Sequence, residues 1–181
     1  MTNLSFGEST DQELIKAIRQ GNREAFKELH SRYFKALIRF SWFRTGSMEL
    51  SRDLVQETFF RVWLKRESLD SSRSVKAFLY KILSNLIISH SRLKSAGETG
   101  YDSITSEEGS RTQDDIELKL DLKIAIGKLP EKLKDVYLLS RLDGYKYDEI
   151  AEICGITVKA VEKRMSEAFR KLRKSLSEKS P

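Results

Sequence analysis

The side chains with the clearest chemical potential lie near the end of the 181-residue chain. An apolar series there, Val161, Met165, Ala168 and Leu172, steps by four, three and four, which is the spacing of one buried helix face. The other faces then carry groups that donate to or accept from base edges and phosphates. They are Lys159, Glu162, Lys163, Arg164, Ser166, Glu167, Arg170 and Lys171. The pattern indicates a nucleic-acid contact, and a merely solvated charged face is the alternative.

The residues just before this helix predict how it is positioned. A short helix over Tyr147–Ile153 precedes a tight turn at Cys154-Gly155-Ile156, and Thr157 is suited to cap the helix that follows, over Val158–Leu176. A small residue at the helix crossing, Ala151, and a glycine in the turn are typical of a helix-turn-helix. In that motif the second helix enters the major groove with its first turns against the bases.

The composition gives little support for disulfides, metal binding, catalysis or membrane insertion. The chain has one cysteine and two histidines, His30 and His90, so we expect neither a disulfide nor a metal site and no cofactor. No nucleophile–base pair, phosphate-binding loop or carboxylate pair is evident, so we expect neither an enzyme nor a small-molecule substrate. There is no apolar run of about 18 residues and no signal peptide at the N-terminus, which predicts a cytoplasmic protein.

Charge divides the chain into three parts. The net charge is +6, but residues 1–94 hold 17 basic and 10 acidic residues, residues 95–116 hold 1 and 6, and residues 117–181 hold 15 and 11. The acidic part lacks apolar periodicity, which predicts a flexible linker between a domain over 1–94 and a domain over 117–181. An ordered acidic loop packed on one domain is the alternative.

Apolar periodicity predicts an all-α fold with few breakers, since the chain has only 9 glycines and 2 prolines. Residues 11–94 divide into four amphipathic helices, with Thr10 and Asn22 as caps and Gly46 as a break. We expect these helices to form a four-helix bundle. On the fourth, Tyr80, Lys81 and Asn85 are predicted to share a polar face suited to single-stranded DNA, although a solvated surface is an equal alternative.

Two stretches resemble a known family. The run Asp53–Trp63, DLVQETFFRVW, followed by Ala77–Leu86, AFLYKILSNL, is similar to region 2 of bacterial RNA polymerase sigma factors. The segment from Leu129-Pro130-Glu131 through the helix-turn-helix resembles their region 4. The presence of these two regions alone resembles the extracytoplasmic-function (ECF) group. The likeness covers residues 11–94 and 117–176.

The resemblance implies specific roles. Asp53, Gln56 and Glu57 match positions that dock on the clamp of the polymerase's largest subunit. The loop over 67–74 and the fourth helix match the part that captures the flipped minus-ten base and the melted strand, and region 4 would bind the polymerase flap and read the minus-thirty-five element. The minus-ten candidates are Tyr80, Lys81, Asn85, Ser89 and Arg92.

The resemblance also implies partners: core polymerase, promoter DNA and an anti-sigma factor. Departures are Ser89 where Asp is frequent and Glu162 where Arg is frequent, so base preferences do not carry over. Lys146 also stands where a capping Ser is usual. The alternative function is a helix-turn-helix DNA-binding regulator whose N-terminal bundle serves as an effector or dimerisation domain. The Asp53–Trp63 run argues against that alternative.

Overall fold

The computed structural model describes residues 6–96 and 122–177. The helices and 3-10 turns described in the first part of the chain all end before Gly100. The chain divides into two compact units, Met1–Gly100 and Tyr101–Pro181. The described residues form helices joined by turns, with no strand among them, which confirms the all-α prediction. Ser95 and Ala96, predicted as the start of the linker, belong to the last helix of the first unit, and residues 97–116 lie outside the described part.

Within residues 6–96, the first unit contains four α-helices and two 3-10 turns. The helices are α1 (Asp11–Arg19), α2 (Arg23–Thr45), α3 (Met48–Leu64) and α4 (Val75–Ala96), and the turns are Phe6–Glu8 and Arg66–Ser68. The long helix α2 contacts the other three, so the core forms around it. Its buried side chains recur every three to four residues, which is the period that one face of a helix requires.

Local signals set the helix boundaries. Thr10 Oγ1 accepts from the Glu13 N–H at 3.3 Å, while the Glu13 carboxylate accepts from the Thr10 N–H at 2.7 Å, forming a capping box before α1. The Asn22 side chain accepts from the Ala25 N–H at 3.0 Å and caps α2. Helix α2 ends at Gly46, whose φ of 73° lies in the left-handed region that favours glycine. The predicted caps and break are confirmed.

Arg32 joins three segments of this unit. Its guanidinium donates to Glu28 on the same helix at 2.8 Å, to Asp11 on α1 at 3.2 Å, and to the carbonyl oxygens of Phe6 and Gly7 at 3.0 and 3.1 Å. The Tyr33 hydroxyl also hydrogen-bonds the Asp11 carboxylate. The start of α1 and the turn before it are thereby held against α2.

The fourth helix packs differently from its prediction. The sequence placed Tyr80 on the polar face, but this side chain is 0% exposed and its ring lies edge-to-face against Phe40, with centroids 5.1 Å apart. The core line of α4 runs through Leu79, Leu83 and Ile87. Phe78, which directly precedes Leu79, is half-buried. The polar-face prediction for Tyr80 is therefore wrong, because burying its large ring outweighs leaving its hydroxyl in water.

The second unit is a compact set of helices ending in the predicted motif. The described part contains α5 (residues 122–127), α6 (Glu131–Arg141), α7 (Tyr147–Cys154) and α8 (Val158–Ser177). Pro130 directly precedes α6 and is its N-cap residue. Its carbonyl accepts from the N–H groups of Leu133 and Lys134 at 2.8 and 2.9 Å.

The core of this unit lies where α6 and α7 meet α8. Val136, Leu139, Ile150, Val161 and Ala168 are fully buried. They come from three helices, so none of these helices buries its apolar face alone. The packing fixes the direction in which the remaining faces of α8 point.

Candidate polymerase and nucleic-acid interfaces

The last helix presents the charged surface that its sequence predicts. Val161, Met165, Ala168 and Leu172 are all buried, which confirms the predicted inner stripe. The exposed side chains are Lys159, Glu162, Lys163, Ser166, Arg170 and Lys171, and Arg164 and Glu167 are half-buried. The structure thus brings all eight predicted residues to the accessible sides of one helix.

The turn before α8 has the geometry that its residues dictate. Gly155 ends α7 with a φ of 64°, and the Ile156 N–H donates to the Ala151 carbonyl at 2.9 Å. Thr157 Oγ1 then accepts from the Ala160 N–H at 3.2 Å, capping α8 as predicted. These short-range bonds turn the chain between α7 and the start of α8.

Lys146 provides no side-chain cap for α7. Instead, the Glu149 carboxylate reaches back and accepts from the Lys146 N–H at 2.8 Å. One N-terminal donor of the helix is satisfied in this way, which is half of a capping box. The Lys146 side chain is exposed at the entrance to the motif.

One face of α3 combines acidic and apolar groups. Asp53 and Gln56 are exposed and Glu57 is half-buried, so the predicted docking residues are accessible. The Glu57 carboxylate accepts from Arg61 Nε at 2.6 Å, so this acid is held in an ion pair within its helix. Phe60 and Leu64, which follow at helical spacing, are 55% and 60% exposed.

Phe60 and Leu64 are the residues on α3 that the sequence analysis missed. Both were overlooked because helical periodicity identifies the buried face of α3 but does not show that an apolar residue outside that face binds a partner. Phe59 is 3% exposed and contacts Phe26 and His30. Large exposed apolar side chains that continue a polar face are typical of a protein interaction surface.

The exposed face of α4 carries four of the five predicted minus-ten residues. Lys81, Asn85, Ser89 and Arg92 are all exposed and recur at intervals of three and four, so they share one side of the helix. Tyr80 does not join them, because it is buried. The aromatic ring that lies beside this face is Phe78, one turn before Lys81 and half-buried, and Ile88 adds an apolar side chain that is 40% exposed.

The predicted strand-capture loop lies next to the start of α4 in sequence and is internally bonded. Asp70 accepts from the backbone N–H and the hydroxyl of Ser72 at 2.9 and 2.6 Å, and it pairs with Arg73 at 3.2 Å. The two hydrogen bonds from Ser72, side chain first and backbone second, lower the pKa of the Asp70 carboxyl. Leu69 anchors the loop because it is buried. This single apolar residue in a polar stretch gave no periodic signal.

A shallow apolar cleft of about 490 Å³ lies within the second unit. The Phe169 ring stands edge-to-face against Tyr137 at 5.9 Å, and the Arg141 guanidinium lies 4.9 Å from its centroid. Burial raises the pKa of the Tyr137 hydroxyl. The lining residues are Leu122, Tyr137, Phe169, Leu172, Arg173, Leu176 and Ser177.

Metal-binding clusters and membrane-spanning helices are both absent from the residues that the structure describes. Across residues 6–96 and 122–177, no cluster of three His, Cys, Asp or Glu side chains is arranged to hold a metal ion. None of the helices in these ranges is long and apolar enough to cross a membrane.

Comparison with known proteins connects both units to one family. Residues 29–96 match the family described as Sigma-70 region 2, and residues 119–172 match Sigma-70, region 4. The ECF RNA polymerase sigma factor SigW of Bacillus subtilis is 29% identical over 177 residues, covering 90% of this chain and 94% of SigW. The ECF RNA polymerase sigma factor EcfG of Rhodopseudomonas palustris is 28% identical, covering 71% and 72% of the two chains.

Solved structures have the same fold. A chain in the structure of CnrH in complex with the cytosolic domain of CnrY superposes with a TM-score of 0.74 at 27% identity, covering 94% of this chain and 99% of that one. A chain in the co-crystal structure of the sigma factor RpoE with the anti-sigma factor NepR from Bartonella quintana gives a TM-score of 0.67 at 24% identity, covering 86% and 98%.

A helical unit matching region 2 and a second unit matching region 4 define an RNA polymerase sigma factor. The chain belongs to the ECF group of that family. It is a transcription initiation factor that binds core RNA polymerase and directs it to promoters. The alternative of a stand-alone helix-turn-helix regulator is not favoured, because the region 2 match covers most of the first unit.

Proposed function

We propose that the two units divide promoter recognition between them. The first unit docks on the clamp of the polymerase's largest subunit through α3 and holds the minus-ten strand on α4. The second unit docks on the polymerase flap and reads the minus-thirty-five element with α8. The observation that carries this division is that each helix leaves its predicted contact residues accessible while its apolar stripe is buried.

The polymerase contact on α3 consists of a polar part and an apolar part. Asp53, Gln56 and Glu57 supply charge-assisted and amide hydrogen bonds, and Phe60 and Leu64 extend the same face with area that docking removes from water. A charged pair buried in an interface costs about 2–5 kcal/mol when one partner is truncated, and a rim contact costs far less. Docking in this manner needs no catalytic group on the sigma factor, and the RNA-forming chemistry belongs to the polymerase. We propose that the chain acts with the polymerase in the cytoplasm.

Removing the polar docking side chains tests this contact. The variant Asp53→Ala/Gln56→Ala/Glu57→Ala is expected to bind core polymerase at least about tenfold more weakly, which corresponds to a loss of about 1.4 kcal/mol. Its helical circular dichroism and its α8-dependent DNA binding are expected to stay unchanged, because none of the three side chains is buried. Polymerase affinity is measured by titrating labelled core enzyme.

The matched control removes polar groups that lie elsewhere on the first unit. Gln12 and Glu24 are exposed on α1 and α2, so Gln12→Ala/Glu24→Ala is expected to keep the polymerase affinity of the unmodified chain. If the triple variant and this control bind polymerase equally well, the docking assignment is wrong.

On α4, we propose that Lys81 and Arg92 contact phosphates, while Asn85 and Ser89 offer donors and acceptors to an unstacked base. A base that leaves the duplex is recognised by hydrogen bonds to its edge together with stacking against an apolar side chain. The half-buried ring of Phe78 and the exposed Ile88 are available for the stacking part. Tyr80 has no place in this proposal because its ring is in the core.

Strand capture is tested by separating promoter opening from promoter binding. With Asn85→Ala, permanganate reactivity of the melted region is expected to fall several-fold, while closed-complex formation measured by gel shift stays nearly constant. The reason is that Asn85 is exposed, so its removal leaves the core intact. Equal loss of both steps would contradict a role in base capture.

An inhibitory protein partner is a further part of the proposal. CnrH, which is 27% identical to this chain, was solved with the cytosolic domain of CnrY bound. We propose that an anti-sigma factor covers the α3 face, where Phe60 and Leu64 are exposed, and so blocks polymerase binding. Co-purification of the chain from its host tests this proposal, and full transcriptional activity with no bound protein would contradict it.

A further inference from the structure

A second surface of the first unit has properties that none of the proposed contacts use. It lies on the later part of α2, where residues 29–45 contain the four basic residues Arg32, Lys35, Arg39 and Arg44 and no Asp or Glu. The neighbouring start of α2 is different, because Glu24 and Glu28 lie there. The local field of this part of α2 is therefore positive along about four turns of helix.

Apolar side chains run through the middle of this basic part. Phe34, Ile38 and Trp42 recur every fourth residue and are all half-exposed, although the buried line of α2 lies elsewhere, through Leu37 and Phe40. At a rise of 1.5 Å per residue, the eight steps from Phe34 to Trp42 correspond to about 12 Å along the helix axis. The outward face thus carries two aromatic rings with an aliphatic side chain between them.

Cations flank this apolar row. Lys35 and Arg39 directly follow Phe34 and Ile38 in sequence, and both are exposed. The α2 face, as we call it, consists of Phe34, Lys35, Ile38, Arg39 and Trp42. Arg32 is not part of it, because its guanidinium is committed to Glu28, Asp11 and the chain before α1.

Both aromatic rings of the α2 face are held by a neighbouring ring. Phe34 stacks on His30 with centroids 4.7 Å apart and planes 25° apart, and His30 in turn contacts the buried Phe59 at 4.5 Å. Trp42 stands edge-to-face against Phe43 at 4.9 Å. Rings braced in this way lose little further freedom when a ligand stacks on them.

We propose that the α2 face binds single-stranded DNA. Stacking on aromatic rings combined with phosphate contacts from Lys and Arg is the arrangement by which proteins hold single strands without reading their sequence. Paired bases in a duplex do not expose their faces, so a duplex would use the cations alone. The α2 face shares no residue with the α4 surface, so it is a second strand-binding site beyond the proposed function.

Tryptophan fluorescence gives a direct test, because the chain has only two tryptophans, Trp42 and Trp63. Trp63→Phe leaves Trp42 as the sole indole, and Phe keeps the ring contact with Phe26. Titrating this full-length variant with a twelve-nucleotide oligo(dT) is expected to quench the Trp42 emission in a saturable manner. A blunt duplex of equal length is expected to produce no such quenching.

Charge removal tests the phosphate contacts. In the same background, Lys35→Ala/Arg39→Ala is expected to weaken oligo(dT) binding about tenfold or more. The log–log salt slope is expected to become shallower by about 1.4, since each phosphate contact to a single strand contributes about 0.7. The matched control Lys16→Ala/Arg19→Ala removes two exposed cations from α1 and is expected to change the affinity by less than about threefold.

Several results would overturn the inference. A single-strand site on the α2 face would be excluded by any one of four results. These are the absence of saturable quenching, equal quenching by the duplex, equal quenching by polyglutamate, and the same affinity loss in both double variants. If Trp63→Phe does not fold by circular dichroism, the comparison is made between the unmodified chain and Trp42→Phe, of which only the former is expected to be quenched. If the α2 and α4 surfaces are separate, adding Asn85→Ala leaves the quenching of Trp42 intact. Failure of the α2 inference can therefore be distinguished from failure of the α4 proposal.

Discussion

Glu162 and Lys171 occupy the same helix, but their side chains are expected to do different things on DNA. Glu162 lies in the second turn of α8, where a recognition helix reads base edges, and a carboxylate there accepts from cytosine N4. Lys171 is exposed two turns before the end of the helix, where a cation meets the phosphate backbone. We therefore expect Glu162 to confer sequence preference and Lys171 to confer affinity.

Single substitutions separate these two contributions. Glu162→Ala is expected to change the preferred minus-thirty-five base, a discrimination worth about 1–3 kcal/mol, without loss of general affinity, because a negative charge leaves the interface. Lys171→Ala is expected to weaken all sequences alike and to make the salt slope shallower by about one. Both are measured by selection from a randomised minus-thirty-five library together with binding titrations in salt. Base preference that follows Lys171 instead of Glu162 would reverse the assignment.

Individual residues also mark where sequence analysis succeeds and where it does not. Thr10, Asn22, Gly46 and Thr157 were predicted correctly as caps or a break, because caps are decided by contacts within four residues. Tyr80 was placed on the wrong face, because its burial depends on the ring of Phe40, which is 40 residues away in sequence. Side chains with both polar and apolar parts can be assigned to a face only when their tertiary neighbours are known.

At the scale of elements, the contact between α2 and α3 is built from rings. Phe26 contacts Phe59 and Trp63 at 6.1 and 5.0 Å, and His30 lies among them against Phe34 and Phe59. Burial lowers the pKa of the His30 imidazole, because desolvation disfavours its charged form. The contact therefore favours neutral histidine.

The pH dependence of unfolding tests this packing. In the unfolded chain His30 titrates near the ordinary value of about 6.5, and in the folded protein its pKa is lower. As the pH falls below about 6.5, the unfolded state takes up the proton more readily, so the free energy of unfolding decreases. Above that pH the contribution is fully present.

Denaturant titrations at pH 7.5, 6.5 and 5.5 measure this effect. The free energy of unfolding of the first unit is expected to fall more steeply with acidification in the unmodified chain than in His30→Gln, which does not titrate. The variant controls for the carboxylates that also titrate in this range. Identical pH profiles would show that α2 and α3 pack equally well around a charged imidazole.

At the scale of the molecule, the chain divides into two compact units, Met1–Gly100 and Tyr101–Pro181. The sequence analysis proposed domains over 1–94 and 117–181, with an acidic linker over 95–116 between them. Composition supports that proposal, because the intervening segment has the opposite charge to both flanks and no apolar period. Its boundaries remain a prediction.

Limited proteolysis tests the division into domains. A glutamate-specific protease such as V8 is expected to cut first at Glu98, Glu107 or Glu108, and to leave two fragments that resist further cleavage. Many other glutamates, for example Glu28, lie in helices, and their slower cleavage is the internal control. Mass spectrometry identifies the cut sites. Cleavage within the helices at the same rate as in 95–116 would argue against two stable domains.

The bonds of Arg32 restrict how this chain can change over evolutionary time. A lysine keeps the charge but has three donors on a single nitrogen, so it cannot span the carboxylates of Glu28 and Asp11 and two backbone carbonyls at once. We therefore expect few substitutions at position 32 to be tolerated unless the segment before α1 also changes its path. In a deep mutational scan, tolerance at Asp11 should depend on the residue at position 32, so that the two sites vary as a pair.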